Sequence, residues 1–248
     1  MSNLSVIIRK DLSMPRGKMG AQAAHSAMRL FLGGLMPNGI PFQRSLPVSR
    51  VEEFKRWLSE GDIALQMVKG EEALHAALPS DQPMAIIIDN GRTHFNGQKT
   101  LTCAAYGLFS TGGEGLSPDM EQDRVEKARQ YFVLSDEFNV DKESVCKLTI
   151  RSCLEDMFLH MDREPSGNYT LHLPPETARA DWLSGAFTKI CLRAESDEQL
   201  QSKADDLQAL GFSISRAQVG PHKGFCVEPS YSEVIRPVLD DLRPLMGW

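Results

Sequence analysis

Two groups of residues in this 248-residue chain have types and spacings suited to chemistry. The first is Lys18, Gln22, His25 and Arg29, at i, i+4, i+7 and i+11 within GKMGAQAAHSAMR. Those spacings fall on one stripe of a helix. An ammonium, an amide, an imidazole and a guanidinium along one stripe make a donor-rich surface. At a helix start the first-turn amides and the helix dipole favour an anion as well. The second group is IIIDNGRTHFNGQKTLT, residues 86–102. An apolar strand ends in Asp89, Asn90-Gly91 signals a turn, and Arg92 and Thr93 follow. A carboxylate at the C-terminal end of a strand in an α/β sheet sits where ligands bind. The same spacing also fits an Asx turn, in which Asp89 caps its own loop.

Other chemistries find less support. The five cysteines (Cys103, Cys146, Cys153, Cys191 and Cys226) are odd in number and lack C-x-x-C spacing. A disulfide framework or zinc ribbon is not expected, and a cytoplasmic setting with small buried thiols is. The six histidines show no H-E-x-x-H or comparable spacing, so neither a metal nor a cofactor is expected. No apolar run approaches the ~18 residues that span a bilayer, and the four-residue run at the N-terminus is too short for a signal core. Net charge is −6, which argues against a broad nucleic-acid groove. The charge is divided unevenly, +1 over residues 1–120 and −7 over 121–248. The first thirty residues hold Arg9, Lys10, Arg16, Lys18 and Arg29 against Asp11 alone, a pattern that fits one local phosphate contact.

The elements that must position these groups follow from periodicity. Ser5–Ile8 reads as a buried strand. Pro15 and Gly17 make residues 11–20 a loop, and a helix runs from Lys18 to about Leu32, ended by Gly33-Gly34. Residues 35–50, with Pro37, Gly39, Pro41 and Pro47, read as irregular. Val51–Leu58 (helix), Ile63–Val68 (strand), Glu71–Leu78 (helix), Met84–Ile88 and Leu101–Tyr106 (strands) follow. Residues 110–119 are the best linker. Beyond it come a strand at Tyr131–Leu134, a helix at Glu143–Leu159, an irregular stretch at 163–175 and a strand at Thr188–Ala194. A helix at Asp197–Leu210, strands at Ser213–Val219 and Phe225–Glu228, and a helix at Val234–Leu242 interrupted at Pro237 complete the chain. The fold class is α/β, a mixed β-sheet flanked by helices.

Placing residue 126+n under residue n matches the first strand and helix without gaps. Val6 falls on Phe132, Ile7 on Val133, Ile8 on Leu134, Met14 on Val140 and Met19 on Val145. Trp57 and Trp182 take nearly the same offset. The donor stripe becomes Ser144, Leu148, Arg151 and Glu155, and in RAQVGPHKGFCV Gln218 replaces the aspartate. The apolar pattern repeats while the polar pattern is lost. A tandem duplication is expected, with domains at 1–120 and 121–248, the second a degenerate copy.

At RKDLSMPRGKMGAQAAHSA, Trp57 with IALQMVKGEEAL, and IIIDNGRTHFNGQKTLTCAAYGL, the sequence resembles the type 2 peptidyl-tRNA hydrolases over about residues 4–108. The resemblance implies hydrolysis of the ester between a peptide and the 3′-terminal adenosine of tRNA. It maps the family's active-site group onto Lys18, Gln22, Asp89, Thr93 and Thr102, although residues 96–100 hold one residue more than the usual family loop. Ester hydrolysis needs an activated water, a donor for the oxyanion and a positioned leaving oxygen. Asp89 is assigned to the water, directly or through Thr93, Lys18 to negative charge, and Gln22 to holding substrate. His25, Arg29, Arg16 and Arg92 are expected on the substrate-binding side, with structural roles open for His25 and Arg92. Family members resemble homodimers, so the duplicated chain is expected to be a monomer folded as an intramolecular pseudo-dimer. The competing readings are a tRNA- or protein-binding module without useful turnover, and an unrelated α/β enzyme acting on another ester or amide.

Overall fold

The structure, a computed structural model, describes residues 4–91, 94–109, 128–185 and 187–246. The first elements are β1 (Leu4–Arg9), α1 (Arg16–Gly33), β2 (Met36–Pro37), β3 (Gln43–Leu46), α2 (Val48–Glu60) and β4 (Ile63–Val68). Then come α3 (Glu71–Ala76), β5 (Met84–Asp89), β6 (Thr100–Tyr106), β7 (Ala128–Ser135), α4 (Lys142–Leu159), β8 (Met161–Arg163) and β9 (Tyr169–His172). The chain ends with α5 (Ala178–Ser184), β10 (Lys189–Ala194), α6 (Asp197–Ala209), β11 (Ile214–Val219), β12 (His222–Val227), β13 (Ser230–Tyr231), α7 (Ser232–Leu239) and β14 (Arg243–Pro244). The class is the expected mixed α/β, with sheets flanked by helices.

Three local expectations are corrected. Helix α1 starts at Arg16, directly after Pro15. A proline there gives up no helical hydrogen bond, and the Pro15 carbonyl accepts the Met19 N–H at 2.9 Å. Residues 35–50 and 163–175 are not irregular, because they contain β2, β3 and β9. These strands are too short to show a period and form through pairing with distant residues. Helix α5 is a further element that the periodicity does not announce. The expected linker at 110–119 lies outside the described residues.

The chain divides into two compact units that are not contiguous in sequence. Unit 1 holds residues 1–14, 25–117 and 161–172; unit 2 holds 15–24, 118–160 and 173–248.

Unit 1 contains a four-stranded sheet in the order β4-β1-β6-β5. Strand β1 runs parallel to β4 and antiparallel to β6. Its Leu4, Val6, Ile7 and Ile8 are all buried, as suits a strand covered on both faces. Leu74 of α3 packs with Ile7, Leu101 and Ala104. Phe31, Phe54, Trp57 and Phe109 form a second nucleus, with the Phe31 and Phe54 ring centroids 4.8 Å apart. A smaller sheet of order β2-β3-β9-β8 completes the unit. In it Gln43 faces His172 and Leu46 faces Tyr169, and the Ser45 and Thr170 hydroxyls meet at 2.9 Å.

Unit 2 contains a sheet of order β11-β12-β7-β10-β14, with β13 also on β7. Tyr131, Val133, Leu200, Phe225 and Ile235 belong to its core. Under the sheet lies a charged group. The buried Asp156 carboxylate accepts from Arg179 at 3.2 Å and from Gln130 at 3.3 Å. His160 Nε2 lies 3.2 Å from a Glu228 oxygen. The first part of α1 belongs to this unit and packs closely on α4, where the Thr149 hydroxyl donates to the Gly20 carbonyl at 3.0 Å.

The two larger sheets have internal registers that correspond. Leu4 faces Ile63 on the parallel neighbour of β1, and Gln130 faces Lys189 on that of β7. Each residue of the second pair lies 126 positions after its counterpart in the first. Helices α1 and α4 have the same offset at both ends.

All five cysteines are buried and none is in a disulfide. Burial pushes the Cys153 and Cys191 thiols up to about 12, which removes them as nucleophiles near neutral pH. Among the described residues no helix is long and apolar enough to cross a membrane.

Candidate active site

One uninterrupted helix, α1, carries Lys18, Gln22, His25 and Arg29. Lys18 is half-buried, whereas Gln22 and His25 are buried at 3% and 6% exposure. Polar side chains with that little exposure need partners, and all four of these residues have them. Lys18 and Gln22 fall in unit 2, His25 and Arg29 in unit 1. At the far end of the stripe Arg29 Nη1 donates to the Ile86 carbonyl at 3.4 Å. That bond ties the second half of α1 to β5, the strand that ends in Asp89.

Asp89 is 8% exposed. Its Oδ1 accepts the Gly91 N–H at 2.7 Å, so the Asx turn allowed by the sequence is formed and fixes the carboxylate. Gly91 has φ +75°, and a Cβ there would come within 2.6–2.8 Å of the Gly97 and Gln98 backbone. Only glycine allows that turn to close. The loop then passes through Phe95, Asn96 and Gly97, all with positive φ. Arg92 and Thr93, expected in the site, lie outside the described residues.

Thr102 is fully buried and stands at an irregularity that sequence reasoning missed. Ile87 faces Cys103, but Ile88 faces Leu101, so β6 holds one extra residue at Thr102. The Thr102 hydroxyl donates to the Ile87 carbonyl at 3.2 Å. Such bulges re-aim side chains beside functional positions. Thus His25, Arg29, Asp89 and Thr102 share unit 1, and β5 carries or directly contacts three of them.

A second group, also absent from the sequence reading, holds the start of β6. Arg9 donates to the Leu101 carbonyl at 3.1 Å and to Asp11 at 2.7 Å. Asp11 accepts the Gly70 N–H at 2.9 Å. The hydrogen bond from Arg9 holds the Asp11 carboxyl down at about 2. Arg9 ends β1 and Asp11 lies in the turn just after it, close enough in the chain for the two side chains to pair.

Arg16, expected on the substrate-binding side, has partners within the protein. Its guanidinium grips Asp136 at 3.0 and 3.2 Å and reaches the Val140 carbonyl at 2.6 Å, all within unit 2. At the start of α1 the Gly17 N–H donates to the Leu245 carbonyl at 3.0 Å. Helix α4 carries its own anion: Asp141 accepts from the Ser144 N–H at 2.9 Å and from its hydroxyl at 2.8 Å. Among the described residues no cluster of three or more His, Cys, Asp or Glu forms a metal site.

Residues 2–110 match the family model described as peptidyl-tRNA hydrolase PTH2. The chain is similar to a peptidyl-tRNA hydrolase of Sulfolobus acidocaldarius, 33% identical over 109 residues that make up 42% of this chain and 84% of the relative. It is also similar to one of Saccharolobus solfataricus, 27% identical over 112 residues, and one of Saccharolobus islandicus, 30% identical over 114. Each of these alignments takes in 43% of this chain and 86% of the relative.

Proposed function

The chain belongs to the PTH2 family of peptidyl-tRNA hydrolases, and on that premise we propose that it hydrolyses the ester joining a peptide to the 3′ end of tRNA. Asp89 orients or deprotonates the attacking water, directly or through Thr93. Lys18 stabilises the negative charge that develops on the carbonyl oxygen, or a tRNA phosphate. Gln22 holds substrate, and Thr102 completes the group. Substrate binding is assigned to His25, Arg29, Arg16 and Arg92. Water adds to the ester carbonyl and the ribose oxygen leaves with a proton. Oriented donors and a fixed carboxylate supply the needed electrostatic stabilisation.

The observation that carries this reading is the burial of the motif's polar groups. Gln22, His25, Asp89 and Thr102 are each less than 9% exposed, and buried polar groups gathered at the motif's positions fit a site for chemistry better than a surface kept for solubility. The test is release of an N-acetylated amino acid from tRNA. Wild type should turn over, and Asp89→Asn and Lys18→Ala should each lower kcat by about 100-fold or more. Equal inertness of all three would favour a binding module. Full activity in Asp89→Asn would remove Asp89 from the mechanism.

We further infer that residues 1–120 form the catalytic copy of a tandem duplication and residues 121–248 a degenerate one, together an intramolecular pseudo-dimer. Several features support this. The order β4-β1-β6-β5 is matched by β10-β7-β12-β11, with the same strand directions. Gln43 faces His172, which lies 126 after Leu46, and Leu46 faces Tyr169, which lies 126 after Gln43. Reciprocal pairing of this kind is what a twofold contact between two copies would give. Ile8 leads across the sheet to Cys103 and Ile87, and Leu134 leads to Gly224 and Ala217. Counting from those pairs puts Val219, not the Gln218 aligned from sequence, in the place of Asp89. The β11–β12 register also lacks the bulge. The expected species in solution is a monomer with one active site. Light scattering at twice the chain mass would overturn that.

A further inference from the structure

We propose that Arg16 is a positioning residue, which with the C-terminal segment Arg243–Met246 clasps the first turn of α1 and so sets the direction of Lys18. The inference rests on the hydrolase reading and goes beyond it, because it makes the catalytic helix depend on residues outside the family-matched segment. The clasp has two jaws, both in unit 2. On one side lies the turn after β7. Asp136 receives both terminal nitrogens of Arg16, and Asn139 Oδ1 at 3.2 Å and the Val140 carbonyl complete the contact. Asp136 is itself fixed, since its N–H donates to the Ala194 carbonyl at 2.9 Å and its Oδ1 accepts the Val140 N–H at 3.0 Å.

On the other side lies the tail. Arg243 and Pro244 pair with Arg193 and Leu192 of β10. Leu245 is buried, and its N–H donates to the Cys191 carbonyl at 2.9 Å. From that anchored strand the Leu245 carbonyl caps the Gly17 N–H, and the Met246 carbonyl accepts from Arg16 Nε at 3.3 Å and Nη2 at 3.2 Å. A Cβ on Gly17 would stand 2.6 Å from the Leu245 oxygen, so the close approach needs glycine. Every nitrogen of the Arg16 fork is directed at protein oxygens, and the side chain is 12% exposed. A bidentate guanidinium–carboxylate pair of this kind fixes orientation as well as charge. Lys18 follows one residue after the capped amide.

The test compares the full chain with Arg16→Lys, Arg16→Ala, Asp136→Asn, Gly17→Ala and a chain ending at Pro244. The readouts are hydrolysis of N-acetylated aminoacyl-tRNA and hydrogen exchange of the amides of residues 17–20. Asp136→Asn is decisive because it leaves the arginine charge in place. The clasp predicts that kcat falls about tenfold with KM nearly unchanged, and that exchange in the first turn of α1 rises about tenfold. Arg16→Lys should not rescue Arg16→Ala. Gly17→Ala raises intrinsic helix propensity, so the same losses there would come from the displaced tail. An Arg16→Ala variant that raises KM alone, with Asp136→Asn behaving as wild type, would make Arg16 a substrate ligand and overturn the clasp. Should wild type itself release no amino acid, the hydrolase reading fails and exchange decides alone. Unchanged protection in Asp136→Asn and in the chain ending at Pro244 overturns the clasp; faster exchange in both supports it.

Discussion

The Thr102 hydroxyl donates to the Ile87 carbonyl at 3.2 Å, at the one step where the β5–β6 register slips. The bond closes the bulge two residues before Asp89 and links the strand carrying the carboxylate to its neighbour. Thr102→Val keeps the shape and removes the donor, leaving a buried carbonyl less well satisfied. Urea unfolding should show a loss of about 1–2 kcal/mol, and kcat should fall about tenfold or more if the bulge aims the site. Thr102→Ser should recover most of both. Wild-type turnover in Thr102→Val would remove the threonine from the catalytic group.

Gly91 makes a second, sharper prediction. Its φ of +75°, with backbone atoms 2.6–2.8 Å from where a Cβ would stand, leaves no room for a side chain. Gly91→Ala strains the Asx turn that holds Asp89. A stability loss of about 2 kcal/mol or more is expected, with activity falling further than stability because the carboxylate moves. Thermal unfolding and the hydrolysis assay, run on the same preparation, check the two effects separately.

How much of the fold and site is legible in the sequence depends on how local each interaction is. Strand β4 is legible to the residue, because Ile63–Val68 is bounded by its own turn signals. Helix α1 reads two residues short, because Pro15 and Gly17 look like breakers when the Leu245 carbonyl that caps Gly17 is unknown. The β3–β9 pairing is invisible, since QRSL and YTLH show no period and meet only through residues more than a hundred positions apart. Among site residues, Asp89 and Gln22 stand out as motif members at informative positions. The bulge at Thr102 cannot be seen, as it is a property of register between two strands. Arg16 looks like a phosphate ligand by charge alone, while its partner Asp136 lies 120 residues away.

His160 and Glu228 give a pH prediction for unit 2. Burial pulls His160 down, but the bond to Glu228 and the nearby Asp156 outweigh it, so its pKa is raised. Burial pushes Glu228 up, but the His160 bond, the Ser213 N–H and Arg179 bring it below the ordinary value. A raised histidine adds stability that is complete below its unfolded value and is lost as pH rises through the folded one. A lowered glutamate adds stability above its unfolded value that is lost as pH falls through the folded one. The pair therefore contributes most between about pH 4.5 and 6.5. Wild type should exceed His160→Gln by about 1 kcal/mol near pH 5.5, with a smaller gap at about pH 8. Urea titrations at both values measure it, and a gap that widens as pH rises would reverse the sign of the argument.

The close approach of α1 to α4 supplies the last prediction. A Cβ on Gly20 would lie 2.7 Å from Val145 Cγ1 and 3.2 Å from Thr149 Cγ2, and the Thr149 hydroxyl is bound to the Gly20 carbonyl. Alanine at position 20 gains about 1 kcal/mol of helix propensity, but it must displace a β-branched side chain that is stiff at χ1. Crowding of this kind costs about 1–3 kcal/mol, so Gly20→Ala should be neutral to mildly destabilising, and Gly20→Leu should lose about 3 kcal/mol or more. Val145→Ala alone leaves a cavity beside Gly20 and is also destabilising. Together, Gly20→Ala and Val145→Ala should be more stable than the sum of the single losses, by about 1 kcal/mol, because each relieves the other. Additive losses in this cycle would mean that the two helices are free to separate, and that the glycine is not what sets their spacing.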